Sequence, residues 1–94
     1  MTKTYEAVAP SHLAKELNTA FESADPRAIC QAIGKAFEHF NIAEMAKQTG
    51  LQRQSIYRAF LNDQRLPHFS TVLSVLTAMG LQMRVAPKQR QARS

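Results

Sequence analysis

With 94 residues the chain has room for one domain and not for two, and a chain of this size buries about 60% of the surface its unfolded form exposes, enough for one modest core. Hydrophobic residues make up 45%, which excludes wholesale disorder, and a single cysteine, Cys30, excludes an internal disulfide or a cysteine-based metal cluster. The net charge of +5 is unevenly spread: residues 1–25 carry −2, residues 26–50 carry +1 and residues 51–94 carry +6, so the C-terminal half is a candidate polyanion-binding surface.

In chain order, residues 1–10 read as an N-terminal extension without an apolar run, so no signal peptide is expected. Ser11 to Ser23 has the spacing of a helix, with Ser11 as its cap and Leu13, Leu17, Ala20, Phe21 and Ala24 on one face. Asp25-Pro26 opens a second helix, Asp25 capping and Pro26 at the first position, where a missing N–H costs nothing. Its apolar stripe is Ile29, Ala32, Ile33, Ala36, Phe37 and Phe40. Asn41 closes it and starts the next, with Glu44 at capping-box spacing. Ile42–Thr49 is a short third helix ending at Gly50, and Gln52–Leu61 a fourth. Asn62 to Pro67 is a polar loop. The fifth helix covers Phe69–Met79, with Phe69, Val72, Leu73, Leu76 and Met79 facing in and Gly80 supplying a positive φ at its end. Leu81–Val85 alternates apolar and polar residues and reads as a short strand. The expected fold is all-α, five helices plus that C-terminal strand, in one domain over residues 11–86, followed by a basic tail, residues 87–94, expected to be disordered.

The informative segment is Ile42 to Leu61. Two helices crossing at a tight turn need a small residue at the crossing, Ala46, and a residue that reaches the left-handed region four positions on, Gly50. Leu51 tucks under the turn, and Ile56, with Ala59 and Phe60, anchors the second helix. This leaves Gln52, Arg53, Gln54, Ser55, Tyr57 and Arg58 facing outward without an acid among them. In the major groove arginine pairs bidentately with guanine and glutamine with adenine. Ser55 and the helix N-terminus are better suited to phosphate. The pattern predicts a helix-turn-helix binding double-stranded DNA, its second helix in the groove; the bland alternative is a helical bundle with an incidental glycine turn.

From Ser11 to Pro87 the chain also resembles the lambda-repressor-like, Xre-type helix-turn-helix proteins, and within them the putative addiction-module antidote proteins, relatives of HigA-type antitoxins. The resemblance lies in Asp25-Pro26, Ala32-Ile-Gly34, Ala46-Lys-Gln-Thr-Gly-Leu51, Ser55-Ile-Tyr-Arg-Ala59, Pro67-His-Phe-Ser-Thr-Val-Leu73 and Leu76-Thr-Ala-Met-Gly-Leu81. It implies a homodimeric autorepressor, acting on a palindromic operator, that also neutralises a RelE-type toxin. Two positions depart from the family pattern: Gln52 stands where members usually carry a capping serine, and Gln54 replaces a common acid, which makes the outer face more basic.

Other features are set aside. His12, His39 and His68 lack ligand spacing, Cys30 reads as a small core residue, and Met45, Met79 and Met83 read as core fillers. No cofactor, metal site or catalytic constellation is expected, nor a membrane span, and one unpaired cysteine fits the cytoplasm. A lone strand leaves its backbone groups unpaired. Leu81, Met83 and Val85, with apolar residues of the fifth helix, are therefore the expected dimer interface, each copy pairing with its symmetry mate. The rival reading is a protein-interaction module whose main work is masking a toxin, with DNA binding secondary; its acidic N-terminal third would face a basic partner.

Overall fold

The computed structural model describes residues 9–61 and 65–88. These form five α-helices: α1 (Pro10–Glu22), α2 (Pro26–Ala36), α3 (Ile42–Thr49), α4 (Arg53–Leu61) and α5 (Phe69–Ala78), with a 3-10 turn at Phe37–His39. Most of the expected N-terminal extension, the centre of the loop before Pro67 and the tail from residue 89 lie outside the described residues.

The helix starts follow local chemistry. Pro10 occupies the first turn of α1 and Ala9 the cap position, so Ser11 lies inside the helix and is not its cap. Proline's fixed φ already suits a first helical position, which moves the start one residue upstream. Asp25 caps α2 as expected, its Oδ1 accepting from the Arg27 N–H at 3.0 Å. Between the two helices Ala24 takes φ 56°, a left-handed conformation that costs a residue with a Cβ about 1–2 kcal/mol. Asn41 caps α3, its Oδ1 accepting from the Glu44 N–H at 3.2 Å. The second helix ends earlier than its apolar stripe suggests. The chain tightens into the 3-10 turn and Phe40 is extended at φ −131°, ψ 149°, which frees Asn41 to start α3.

α2 packs against α1 and α4, and α3 against α4 and α5. Leu13 and Leu17 of α1, Ile33 of α2 and Ile56 of α4 meet in one core with Val75 and Leu76 of α5. No polar or charged side chain is buried among the described residues. Phe37 and Phe60 meet edge to face, ring centroids 5.6 Å apart and planes at 79°. Gly34 lets α2 approach α4 closely, since a Cβ there would stand 2.7 Å from the Phe60 carbonyl oxygen.

Two expectations about the C-terminal third need correcting. Val75 is the fully buried residue of α5, while Phe69 and Leu73 are 65% and 40% exposed and do not face in. α5 carries no charged side chain; its hydroxyl residues Ser70, Thr71, Ser74 and Thr77 lie on one side, and the buried face opposite them is centred on Val75, Leu76 and Met79, which leaves Phe69 and Leu73 at its edge. The strand at Leu81–Val85 is not formed: this segment has no regular structure, and no second extended segment stands beside it among the described residues. Leu81 donates its N–H to the Leu76 carbonyl at 3.0 Å, closing α5, and Gly80 takes the expected positive φ of 82°. Beyond Leu81, residues 82–88 run exposed without backbone hydrogen bonds among the described residues. We call residues 81–88 the arm. No helix among the described residues is long and apolar enough to cross a membrane.

Candidate nucleic-acid interface

The turn between α3 and α4 is held at three points. Gly50 takes φ 77° and donates its N–H to the Ala46 carbonyl at 2.9 Å. Thr49 Oγ1 donates to the Met45 carbonyl at 2.9 Å and accepts from the Leu51 N–H at 3.2 Å. The threonine therefore clamps the turn from inside, a role the spacing of Ala46, Gly50 and Ile56 does not reveal. α4 begins one residue later than the sequence suggests. Its first backbone bond runs from the Ile56 N–H to the Gln52 carbonyl at 3.1 Å, which puts Gln52 at the cap position and Arg53 first in the helix.

Ile56 is 0% exposed and Phe60 3%, so one face of α4 is fixed to the core. Complete burial of such a side chain contributes about 1.5–3 kcal/mol. Ala59 packs partly against the same cluster, as do Leu51 and Ala46. The opposite face follows from 100° per residue. Gln52, Arg53, Gln54, Ser55, Tyr57 and Arg58 are all exposed. Gln54 and Arg58 lie farthest from the Ile56–Phe60 side, with Arg53 and Tyr57 one turn apart on one flank and Ser55 on the other. No acid lies on the helix.

The flanks lead to two different surroundings. Tyr57 lines a recess with Gly34 and Lys35 of α2. Ser55 and Arg58 line an open groove of about 550 Å³ whose other wall is Arg65, His68 and Thr71. In the sequence Arg65 falls in the polar loop and His68 is set aside for want of ligand spacing. The signal that could have found them is the near absence of acids beyond Glu44, where Asp63 is the sole one. The groove also borders the start of α5, whose cap position is His68 with no side-chain cap bond. The positive end of a helix macrodipole therefore adds to the two arginines. Together these surfaces can accept a polyanion along α4 and hold phosphate oxygens beside it.

No group of three or more histidine, cysteine or acidic side chains among the described residues could hold a metal ion. His12 pairs with Glu16 at 3.4 Å on the exposed face of α1. Cys30 is only partly buried, and that burial raises its thiol pKa, which disfavours the thiolate. Leu81, Met83 and Val85, the expected dimer residues, lie together on the arm; Met83 is 40% exposed and Val85 fully so.

Residues 6–87 match the model of a family described as probable addiction module antidote protein. An uncharacterised protein of Haemophilus influenzae is 30% identical over 69 residues, which cover 73% of this chain and 70% of that protein. No solved structure matches.

Proposed function

The chain belongs to the family of probable addiction module antidote proteins, and from that premise we propose that it is a dimeric, sequence-specific DNA-binding antitoxin that represses its own operator. An antidote's place in a toxin–antitoxin module goes with the family. The DNA-binding part rests on one observation: six exposed, acid-free residues, Gln52 to Ser55 with Tyr57 and Arg58, ride on a helix whose other face is locked by Ile56. In this reading α3 and α4 form a lambda-repressor-like helix-turn-helix with α4 in the major groove. Arg53 and Gln54 read base edges, while Tyr57 straddles the groove. Ser55, Arg58, Arg65 and His68 sit on phosphates. Two copies join through Leu81, Met83 and Val85, so that a palindromic operator presents half-sites about one helical turn apart.

The test is a gel shift on the DNA immediately upstream of the protein's own gene, at two salt concentrations. Specific binding that Arg53→Ala or Gln54→Ala relaxes at particular bases supports the reading. Uniform weakening on all sequences, with only the salt slope reduced, would make these residues phosphate contacts instead. No binding above that to random DNA at low salt overturns it.

The exposed apolar side chains of α5 and the arm favour a second reading in part: a protein-interaction module that masks a RelE-type toxin, with DNA binding secondary. The neighbouring reading frame separates the two. A short basic toxin-like product that co-purifies with this chain and is inhibited by it establishes the antidote role. An inhibitory complex that never shifts operator DNA makes DNA binding secondary.

A further inference from the structure

A groove of about 200 Å³ lies between α1 and the arm, walled by Leu17 and Phe21 on one side and Leu81 and Met83 on the other, with Asn18 and Arg84 adding polar lining. We propose that this groove receives the arm of a second copy, so that α1 is part of the self-association surface. The inference rests on the dimer reading above and adds α1 to it.

Three observations select a second copy as the occupant. First, residues 82–88 make no backbone hydrogen bonds among the described residues, and an antiparallel partner arm would supply them. Pairing centred on Met83 puts Val85 of the second copy opposite Leu81, a wall of the groove, because residues two apart share a face. Val85, fully exposed in one chain, then has an apolar seat. Second, the charges are complementary. Residues 9–25 carry Lys15 against Glu16, Glu22 and Asp25, whereas residues 81–88 carry Arg84 and Lys88 and no acid. Glu22 stands one turn beyond Asn18 on the same flank of α1, and among the described residues Glu22, Arg84 and Lys88 have no ion-pair partner. Third, Met83 and Val85 alternate with Arg84. A DNA backbone would engage the cation but give the apolar pair nothing to bury against.

The experiment uses the full chain with Cys30→Ala, so that only introduced thiols react. One tagged chain carries Asn18→Cys and a second, differently tagged, carries Val85→Cys; both positions are exposed in the single chain. The mixture is oxidised under mild conditions. The expected result is a disulfide-linked heterodimer at least about tenfold over a control pairing Val85→Cys with Ser70→Cys, an exposed position in the first turn of α5. Sedimentation of Glu22→Lys should show dimer dissociation strengthened by about threefold or more at low salt, with the difference shrinking at high salt. A chain that dimerises but gives no cross-link above control overturns arm docking while leaving the dimer intact. A chain that stays monomeric at micromolar concentration overturns both. A cross-link formed only when the toxin is present, or only within a doubly substituted chain, assigns the groove to another occupant and overturns the proposal.

Discussion

α4 and α5 are neighbouring helices of 9 and 10 residues with opposite exposed chemistry. α4 exposes arginine, glutamine, serine and tyrosine, with an apolar residue, Leu61, exposed only at its last position, and hides Ile56 and Phe60. α5, with the arm after it, exposes Phe69, Leu73, Met83 and Val85 and carries charge only in the arm. A polar face on a firmly anchored helix suits a hydrated, charged surface, whose recognition needs fixed donors. An apolar face followed by unpaired backbone suits another protein, which can remove both from water. On the proposed function, the two regions divide one small domain into a nucleic-acid side and a protein side.

The largest test of that division compares two truncations. Ile56→Ala should destabilise the fold by about 2–5 kcal/mol, because it opens a cavity at a fully buried position. Leu73→Ala removes a side chain that is 40% exposed and should cost the dilute chain only about 1 kcal/mol. Urea denaturation at low and high protein concentration measures both. If Leu73→Ala loses more stability at high concentration than at low, the excess belongs to an interface. A loss above about 2 kcal/mol at every concentration would mean that the face is covered within the chain, and the comparison would fail.

A second contrast sets Arg53 against Met83. Arg53→Ala should lose about 1–3 kcal/mol of discrimination between operator and altered operator and leave the dimer unchanged. Met83→Asp should do the reverse: it dissociates the dimer, leaves helix content unchanged by circular dichroism, and weakens operator binding only by losing the second half-site. Titration of labelled DNA and sedimentation equilibrium measure the two effects separately. Equal loss of discrimination in both variants would break the division.

The same contrast explains what could be read from the residues alone. α3, its Asn41 cap, the left-handed Gly50 and the buried Ile56 obey local rules, and each is found where spacing puts it. The six outward residues of α4 follow from the same periodicity. α5 was legible as a helix whose hydroxyl residues mark the outer side, but its rotation is set by packing, which centres the buried face on Val75 and leaves Phe69 and Leu73 at the edge. The groove beside α4 joins residues 55 and 58 to 65, 68 and 71 across a turn whose path no local rule sets. Leu81–Val85 has a strand's alternation but no partner among the described residues, so the alternation alone could not make it a strand.

Gly34 gives a smaller test of how firmly α4 is seated. In Gly34→Ala a new Cβ would lie 2.7 Å from both the Phe60 carbonyl oxygen and Leu61 Cδ2. The leucine can swing away, but the carbonyl moves only with α4. Alanine's helix propensity gains about 1 kcal/mol, and overpacking costs about 1–3 kcal/mol. The net should be a loss of about 1 kcal/mol by thermal denaturation, with DNA binding weakened and dimerisation unaffected. A neutral or stabilising result would show that α4 has room to shift, and that its groove-facing residues are less firmly placed than Ile56 suggests.

The smallest effect concerns the first turn of α4, where the recognition surface begins. Gln52 holds the cap position, since its carbonyl accepts the first bond of the helix, from Ile56 at 3.1 Å. Glutamine is a poor cap, because its amide oxygen sits too far out on the side chain to reach back to the second and third N–H groups, whereas serine reaches them. Gln52→Ser should therefore stabilise the fold by about 0.5–1 kcal/mol, a rise in Tm of about 2–8 °C for a domain of this size. The same variant decides what Gln52 does on DNA. If the amide reads a base, operator affinity falls while Tm rises, and a helix cap has been given up for recognition. If both rise, Gln52 only starts the helix, and the reading face narrows to Arg53, Gln54 and Tyr57.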